Sequence, residues 1–230
     1  MGRRGGRATA VTPCTARLCG PLRTTPSPPP PPLLGLHDAD HVFRAFARSR
    51  RLAALYQDLG FHTPIPVQGM YICKQPSIGG EVVPHQDSTF LATDPPSVVG
   101  AWLALEDASV DNGCLWALPG SHTAPIARRF ARTPGGGVGF DAPPADWDLS
   151  AGVPLPAAAG TLVLLHGSLV HWSAPNTSAR SRHAFTVHVV EGQGAAWLDD
   201  NWLQRPSDMP FVPFDRVDGG EGVGEVPAAM

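Results

Sequence analysis

The chain has 230 residues and a formal net charge of −3, enough length for one domain with a substantial core and no global basic field of the kind that binds nucleic acid. Charged residues make up 16%, while Gly (25) and Pro (26) are abundant, which favours a turn-rich β architecture over a helical bundle. No run of about 18 apolar residues occurs, so no membrane-spanning helix is expected.

Residues 1–33 differ from the rest. They hold Arg3, Arg4, Arg7, Arg17 and Arg23, no acidic residue, and the run Pro28 to Pro32. This composition reads as a disordered Arg/Pro-rich tail, with a mitochondrial transit signal as the alternative. Gly and Pro oppose the amphipathic helix that a transit signal needs. Gly6 stands where a myristoylation signal prefers Ser or Thr. Cys14, Cys19, Cys73 and Cys114 form no CxxC pair. All four read as free thiols in a reducing compartment, with a metal-thiolate site as the weaker reading.

Residues 38–60 predict a helix. Val42, Phe43, Phe46, Leu52, Leu55, Tyr56 and Leu59 recur at helical spacing, Gly60 stops the run, and Asp38 or Asp40 caps its start. From Val67 the pattern changes to short strands: VQGMYIC, VVGAWLALE, GCLWALP, GTLVLLH and AFTVHVVE, separated by Gly, Pro and Asp clusters. Several such strands suggest an all-β sandwich or barrel. Thr133 to Ala159, with Gly135–Gly137 and Pro143-Pro144, reads as a long surface excursion, either a lid or a disordered insert. The folded domain is expected over 34–210, with a flexible tail over 211–230.

His85-Gln86-Asp87 carries the chemistry. On extended backbone, residues two apart point to the same side, so the histidine and the carboxylate can reach one metal. The chain contains this spacing once; alone it reads equally well as a strand end. A third ligand must come from a distant strand, and His166 and His171 are the candidates. His171 opens a segment that runs into AFTVHVVE, whereas His166 reads as a core or rim histidine; His183 and His188 have the same plain reading. Two histidines and a carboxylate leave one face of a metal open, as in non-haem iron(II) oxygenases. Arg182 shares alternation parity with Thr186 and His188, which aims its guanidinium inward. A buried guanidinium needs a partner; a dicarboxylate would supply one through a bidentate fork, with Ser173 adding a hydroxyl. The plain reading of Arg182 is a surface arginine beside Arg180. Arg128, Arg129 and Arg132 read as a solvated basic face.

The text GGEVVPHQDSTFL, then EDASVDNGCLWALPGSH, then LVHWSAPNTSARSRHAFTVH resembles the phytanoyl-CoA dioxygenase family over roughly residues 38–205. The resemblance implies a mainly β fold, a double-stranded β-helix of the jelly-roll or cupin-like kind with a flanking α-helix. It implies Fe(II) and 2-oxoglutarate, with ascorbate as an auxiliary reductant, and hydroxylation of a small-molecule or acyl-CoA-like substrate. Carried over by position, His85, Asp87 and His171 would bind iron, and Arg182 and Ser173 the distal carboxylate of 2-oxoglutarate. Met70 and Trp102 match positions that line the co-substrate; read without the resemblance, both are core residues. His122, in PGSH, is read as structural. The family carries a longer N-terminal helical region with a lysine that contacts 2-oxoglutarate. Here the Arg/Pro-rich segment stands in its place, and Lys74 is the only lysine. Two other readings stand beside the dioxygenase: a metal- and 2-oxoglutarate-binding sensor or scaffold without turnover, and a zinc hydrolase. Oligomeric state and primary substrate are not legible. The C-terminal Pro-Ala-Ala-Met is not a Ser-Lys-Leu-type peroxisomal address, and the cytoplasm is the expected location.

Overall fold

The helical segment forms three short helices: α1 (Leu36–Ala39), α2 (His41–Ala47) and α3 (Arg50–Asp58). One helix over 38–60 was expected, and local capping breaks it. Asp40 is extended (φ −115°, ψ 132°), and its carboxylate accepts the Val42 and Phe43 amides. Ser49 does the same for Leu52 at the start of α3. Such short polar side chains compete with helix continuation by satisfying the free N–H groups of a new start. The computed structural model describes residues 35–214; the tail expected over 1–33, with Cys14 and Cys19, lies outside the described residues.

Twelve strands follow in order: β1 (Pro64–Lys74), β2 (Val82–His85), β3 (Thr93–Asp94), β4 (Val99–Ala104), β5 (Leu115–Ala117), β6 (Phe130–Arg132), β7 (Val138–Phe140), β8 (Val153–Leu155), β9 (Leu162–His166), β10 (His171–Ser173), β11 (Arg182–Glu191) and β12 (Ala196–Trp197). Eight of them make two antiparallel four-stranded sheets, ordered β1-β11-β4-β9 and β2-β10-β5-β8. This is the double-stranded β-helix that was expected. The strands read from apolar text became β1, β4, β5, β9 and β11. Strands β2 and β10 are only four and three residues long, and they pair only in the tertiary fold.

The major sheet is covered on both faces, which explains its almost continuous apolar text. On β11, Phe185, Val187 and Val189 turn toward Ala47, Leu52 and Tyr56 of the helices. Ala184 turns the other way and packs with Trp102, Ala104, Cys114 and Leu115 between the sheets. The alternation therefore puts Arg182, Thr186 and His188 on the inner face with Ala184.

The excursion from Thr133 to Ala159 is structured, which excludes the disordered insert, and its Phe140 and Trp147 line a cavity beside His85. Gly136 and Gly137 turn the chain between β6 and β7 at positive φ (85° and 84°), and β8 joins the minor sheet against β5. Phe130, Phe140 and Phe90 pack together there. Residues 211–214, placed with the C-terminal tail, are held: Phe214 enters the helix-side core, and Arg48 donates to the Val212 and Pro213 carbonyls. Residues 215–230 lie outside the described residues.

Candidate metal and co-substrate site

His85 ends β2 and Asp87 opens the single 3-10 turn after it, while His171 opens the neighbouring strand β10. His171 and His85 are register partners across that pair. Gln86, between the two expected ligands, points the opposite way. It is buried, donates to the Ser168 carbonyl at 2.9 Å and accepts the Ala127 amide at 2.9 Å. Those two bonds pin the backbone that aims its neighbours at a common point.

The three side chains converge. His85 Nε2 lies 3.5 Å and His171 Nε2 3.6 Å from Asp87 Oδ1, and all three ligand atoms lie within 4.8 Å of one another. The opposite ring nitrogens are already committed. His85 Nδ1 meets the Val83 carbonyl at 2.8 Å, and His171 Nδ1 meets the Leu169 carbonyl at 3.0 Å. A carbonyl only accepts, so Nδ1 carries the proton in each ring and Nε2 keeps its lone pair toward Asp87. Two imidazoles tautomerised in this way, with a carboxylate between them, form a donor set for a divalent metal. The described residues fit Fe(II) on this observation. His166 lies outside the cluster, near His122, with ring centroids 5.6 Å apart.

The three groups are electrostatically coupled. Burial pushes the Asp87 carboxyl up, but the His188 and His171 imidazoles more than offset it and hold the group well below the usual carboxylate range. Burial pulls His171 down, while the Asp87 carboxylate overcomes burial at His85 and raises it. His188, read from sequence as an ordinary core histidine, belongs to this site: its Nε2 stands 3.3 Å from Asp87 Oδ2. Gly100 makes room for the pair. A Cβ there would sit 3.1 Å from Asp87 Oδ2 and 3.3 Å from the His188 ring.

From the metal cluster, the inner face of β11 leads to Arg182. Thr186 is flanked in register by Met70 on β1 and Trp102 on β4, and Arg182 is flanked by Lys74. Arg182 is 1% exposed. Its Nε donates to the Gly113 carbonyl at 3.0 Å, its guanidinium lies 5.6 Å from the Trp102 ring, and its Nη1 has no partner among the described residues. The Thr186 hydroxyl and the Trp102 indole N–H are likewise buried without partners among the described residues. Burial lowers the Arg182 pKa to about 10. Two unpaired polar groups and an uncompensated guanidinium on one buried face ask for an anionic ligand with several acceptors. Ser173 is buried on β10 just past His171. Lys74 spans the two regions: its ammonium donates to the Gly80 and Ala174 carbonyls, and burial, with Arg182 nearby, lowers it to about 8. Sequence reasoning passed over Thr186, His188 and Lys74 as ligand or supporting groups. Parity with Arg182 was the available signal for the first two, and register opposite Arg182 for the third.

A cavity of about 190 Å³ opens beside His85, with Val83, Phe90, Arg128, Phe140 and Trp147 in its walls. A larger one of about 600 Å³ lies on the helix side of the major sheet, by Phe61, Val99, Leu164 and His166, and touches no member of the metal cluster. Arg129, read as part of a solvated basic face, forms a bidentate pair with Asp200 at 2.7 and 2.9 Å. No helix among the described residues is long and apolar enough to cross a membrane.

The family model described as phytanoyl-CoA dioxygenase (PhyH) matches residues 32–184. The chain is 50% identical over 183 residues to phytanoyl-CoA dioxygenase domain-containing protein 1 of Bos taurus, covering 78% of this chain and 63% of that protein. It is 48% identical over 175 residues to phytanoyl-CoA dioxygenase of Arabidopsis thaliana, covering 76% of this chain and 61% of that one. It thus spans less than two thirds of the length of the curated relatives it matches. Among solved structures, the epimerase SnoN, in complex with Fe3+, alpha ketoglutarate and nogalamycin RO, shares the fold. Its TM-score is 0.56 at 21% identity, over 74% of this chain and 73% of SnoN. AviO1 from Streptomyces viridochromogenes Tue57 gives a TM-score of 0.54 at 25% identity, over 72% of this chain and 68% of AviO1. The ordered strands, the converging His, Asp and His, and the family match over most of the described residues leave one assignment: this chain belongs to the phytanoyl-CoA dioxygenase (PhyH) family.

Proposed function

We propose that this protein is an Fe(II)- and 2-oxoglutarate-dependent dioxygenase acting on a small molecule. One observation carries the reading: two imidazoles with Nδ1 committed to backbone carbonyls face a shared carboxylate, on the same inner side as a buried arginine with an unpaired Nη1. A zinc hydrolase would use the first half of that arrangement but has no need of the second.

In this reading His85, Asp87 and His171 hold Fe(II), and Arg182 with Ser173 receives the distal carboxylate of 2-oxoglutarate. Met70 and Trp102 wall the co-substrate. When bound, the iron supplies oxidative decarboxylation of 2-oxoglutarate to succinate and CO2, coupled to hydroxylation of a substrate C–H bond. The chain's own residues position and shield. His188 steadies the second oxygen of Asp87, Lys74 ties the loop before β2 to the end of β10, and Trp102 keeps water from the guanidinium. The substrate enters beside His85, where aromatic walls and Arg128 suit an apolar body with an anionic group. The free thiols Cys73 and Cys114 support a reducing compartment such as the cytosol.

Anaerobic titration with Fe(II) and 2-oxoglutarate tests the reading without knowledge of the substrate. A visible metal-to-ligand charge-transfer band is expected, and Asp87→Ala should abolish it. A folded protein that gives no band refutes the assignment. A band without succinate formation in air would favour a binding protein that does not turn over, and zinc in metal analysis with no band would favour a hydrolase.

A further inference from the structure

On the outer face of the major sheet, remote from the iron ligands, Cys73 and His183 are register partners across β1 and β11. Cys73 Sγ lies 3.2 Å from His183 Nε2, and the Tyr71 oxygen lies 2.6 Å from His183 Nδ1. Glu106 Oε1 stands 3.9 Å from the same Nδ1. Glu106 is itself fixed: its Oε2 accepts the His183 amide at 3.0 Å, and the Ser181 hydroxyl donates to its Oε1 at 3.0 Å. The Gln75 amide donates to Cys73 Sγ at 2.9 Å. Cys73 is exposed, whereas Cys114 is fully buried and burial raises its thiol.

A neutral imidazole has one N–H. The Glu106 carboxylate, which can only accept, favours it on Nδ1, where the Tyr71 oxygen can also accept, and this leaves the Nε2 lone pair on the thiol. Nucleophile, base and orienting groups thus stand in the order that activates a weak nucleophile. Transfer of the thiol proton to Nε2 would leave a thiolate that accepts from both Nε2–H and the Gln75 amide. The imidazolium would then face Glu106.

We propose that Cys73 is a base-activated thiol and a site of covalent modification by small electrophiles, with peroxides as the chemical class. The thiolate sulfur attacks one oxygen of hydrogen peroxide. The S–O bond forms as the O–O bond breaks. The departing hydroxide takes the proton from His183 Nε2 and leaves as water. The sulfur is oxidised to the sulfenic acid, and the peroxide is reduced.

Tryptic cleavage after Arg51 and Lys74 puts Cys73 alone in peptide 52–74, and each other cysteine falls in a separate peptide. The reduced full chain is exposed to hydrogen peroxide at pH 7, trapped with dimedone, digested and quantified by mass. A free thiol with a pKa near 8.5 is only a few per cent thiolate at this pH, so activation has room for about tenfold faster labelling. Labelling of peptide 52–74 should be about that much faster in native protein than in the same protein in urea, and should fall by a similar factor in native His183→Gln. Equal labelling in native and urea-treated wild type overturns the proposal whatever the variant does. So does labelling that His183→Gln leaves unchanged.

Discussion

Replacing Arg182 with methionine should make the ligand-free protein more stable and the liganded protein less so. The guanidinium is 1% exposed and pairs with no carboxylate among the described residues. Burial lowers its pKa to about 10, so holding the charge in place costs about 3 kcal/mol. Methionine would forfeit the charged hydrogen bond to Gly113, about 1.5 kcal/mol, and the weak contact with Trp102, about 0.5 kcal/mol. The net gain is about 1 kcal/mol, or a rise in Tm of about 2–4 °C for a chain of this size. With anaerobic Fe(II) and 2-oxoglutarate at about a hundred times its Kd, the wild type should gain about 2.7 kcal/mol. Truncating one partner of a buried charge pair costs about 2–5 kcal/mol, so Arg182→Met should show almost none of that gain. Differential scanning calorimetry with and without 2-oxoglutarate reads both effects. A variant that melts below the wild type when ligand-free, yet keeps the 2-oxoglutarate shift, would refute both the burial argument and the assignment of the carboxylate to this residue.

His188→Leu should keep the fold but weaken Fe(II) binding about ten- to hundredfold, because the second Asp87 oxygen loses its neighbour; isothermal titration under anaerobic conditions would measure it. Gly113→Ala should destabilise by about 2–4 kcal/mol in urea denaturation. Gly113 sits at φ +87°, and a Cβ there would lie 2.7 Å from the Ala174 carbonyl and 2.9 Å from Lys74 Cδ. Acid should destabilise through His37, which is buried beside Asp38 and Arg205 and whose pKa burial lowers from 6.5 to about 4. The folded state then binds fewer protons than the unfolded state between these values, so its stability is complete above pH 6.5 and declines as pH falls toward 4. The loss between pH 7 and pH 5 should be about 2 kcal/mol, and Tm in His37→Gln should vary correspondingly less over that interval. Identical pH slopes in variant and wild type would remove His37 from the account.

Much of the site was legible because its chemistry is written at short range. His85 and Asp87 are two residues apart, and Arg182, Thr186 and His188 share the period-two alternation of one strand, so a single extended backbone orders each set. The apolar strands β1, β4, β5, β9 and β11 were legible for the same reason: burial on one or both faces leaves a composition that no partner strand needs to explain. Segmentation of the helical region was not read, although Asp40 and Ser49 were in view. Cap residues also occur within helices, and the packing of Tyr56 and Phe46 into the helix-side core selects Asp40 and Ser49 as caps here.

Tertiary structure alone decided which distant groups meet. His166 and His171 were both candidates on sequence, and the choice follows from the pairing of β10 with β2, strands of three and four residues that are too short for a local signal. His188 became a neighbour of Asp87 because β11 lies beside β4 at Gly100, where the missing side chain leaves room. The excursion from Thr133 to Ala159 became a hairpin and a sheet strand because Phe130 and Phe140, paired across β6 and β7, find Phe90 just past the turn that Asp87 opens. Backbone alternation is a local property that a sequence carries by itself. Which strand lies next to which is set by closing long loops around a shared core, and that free energy belongs to no single segment.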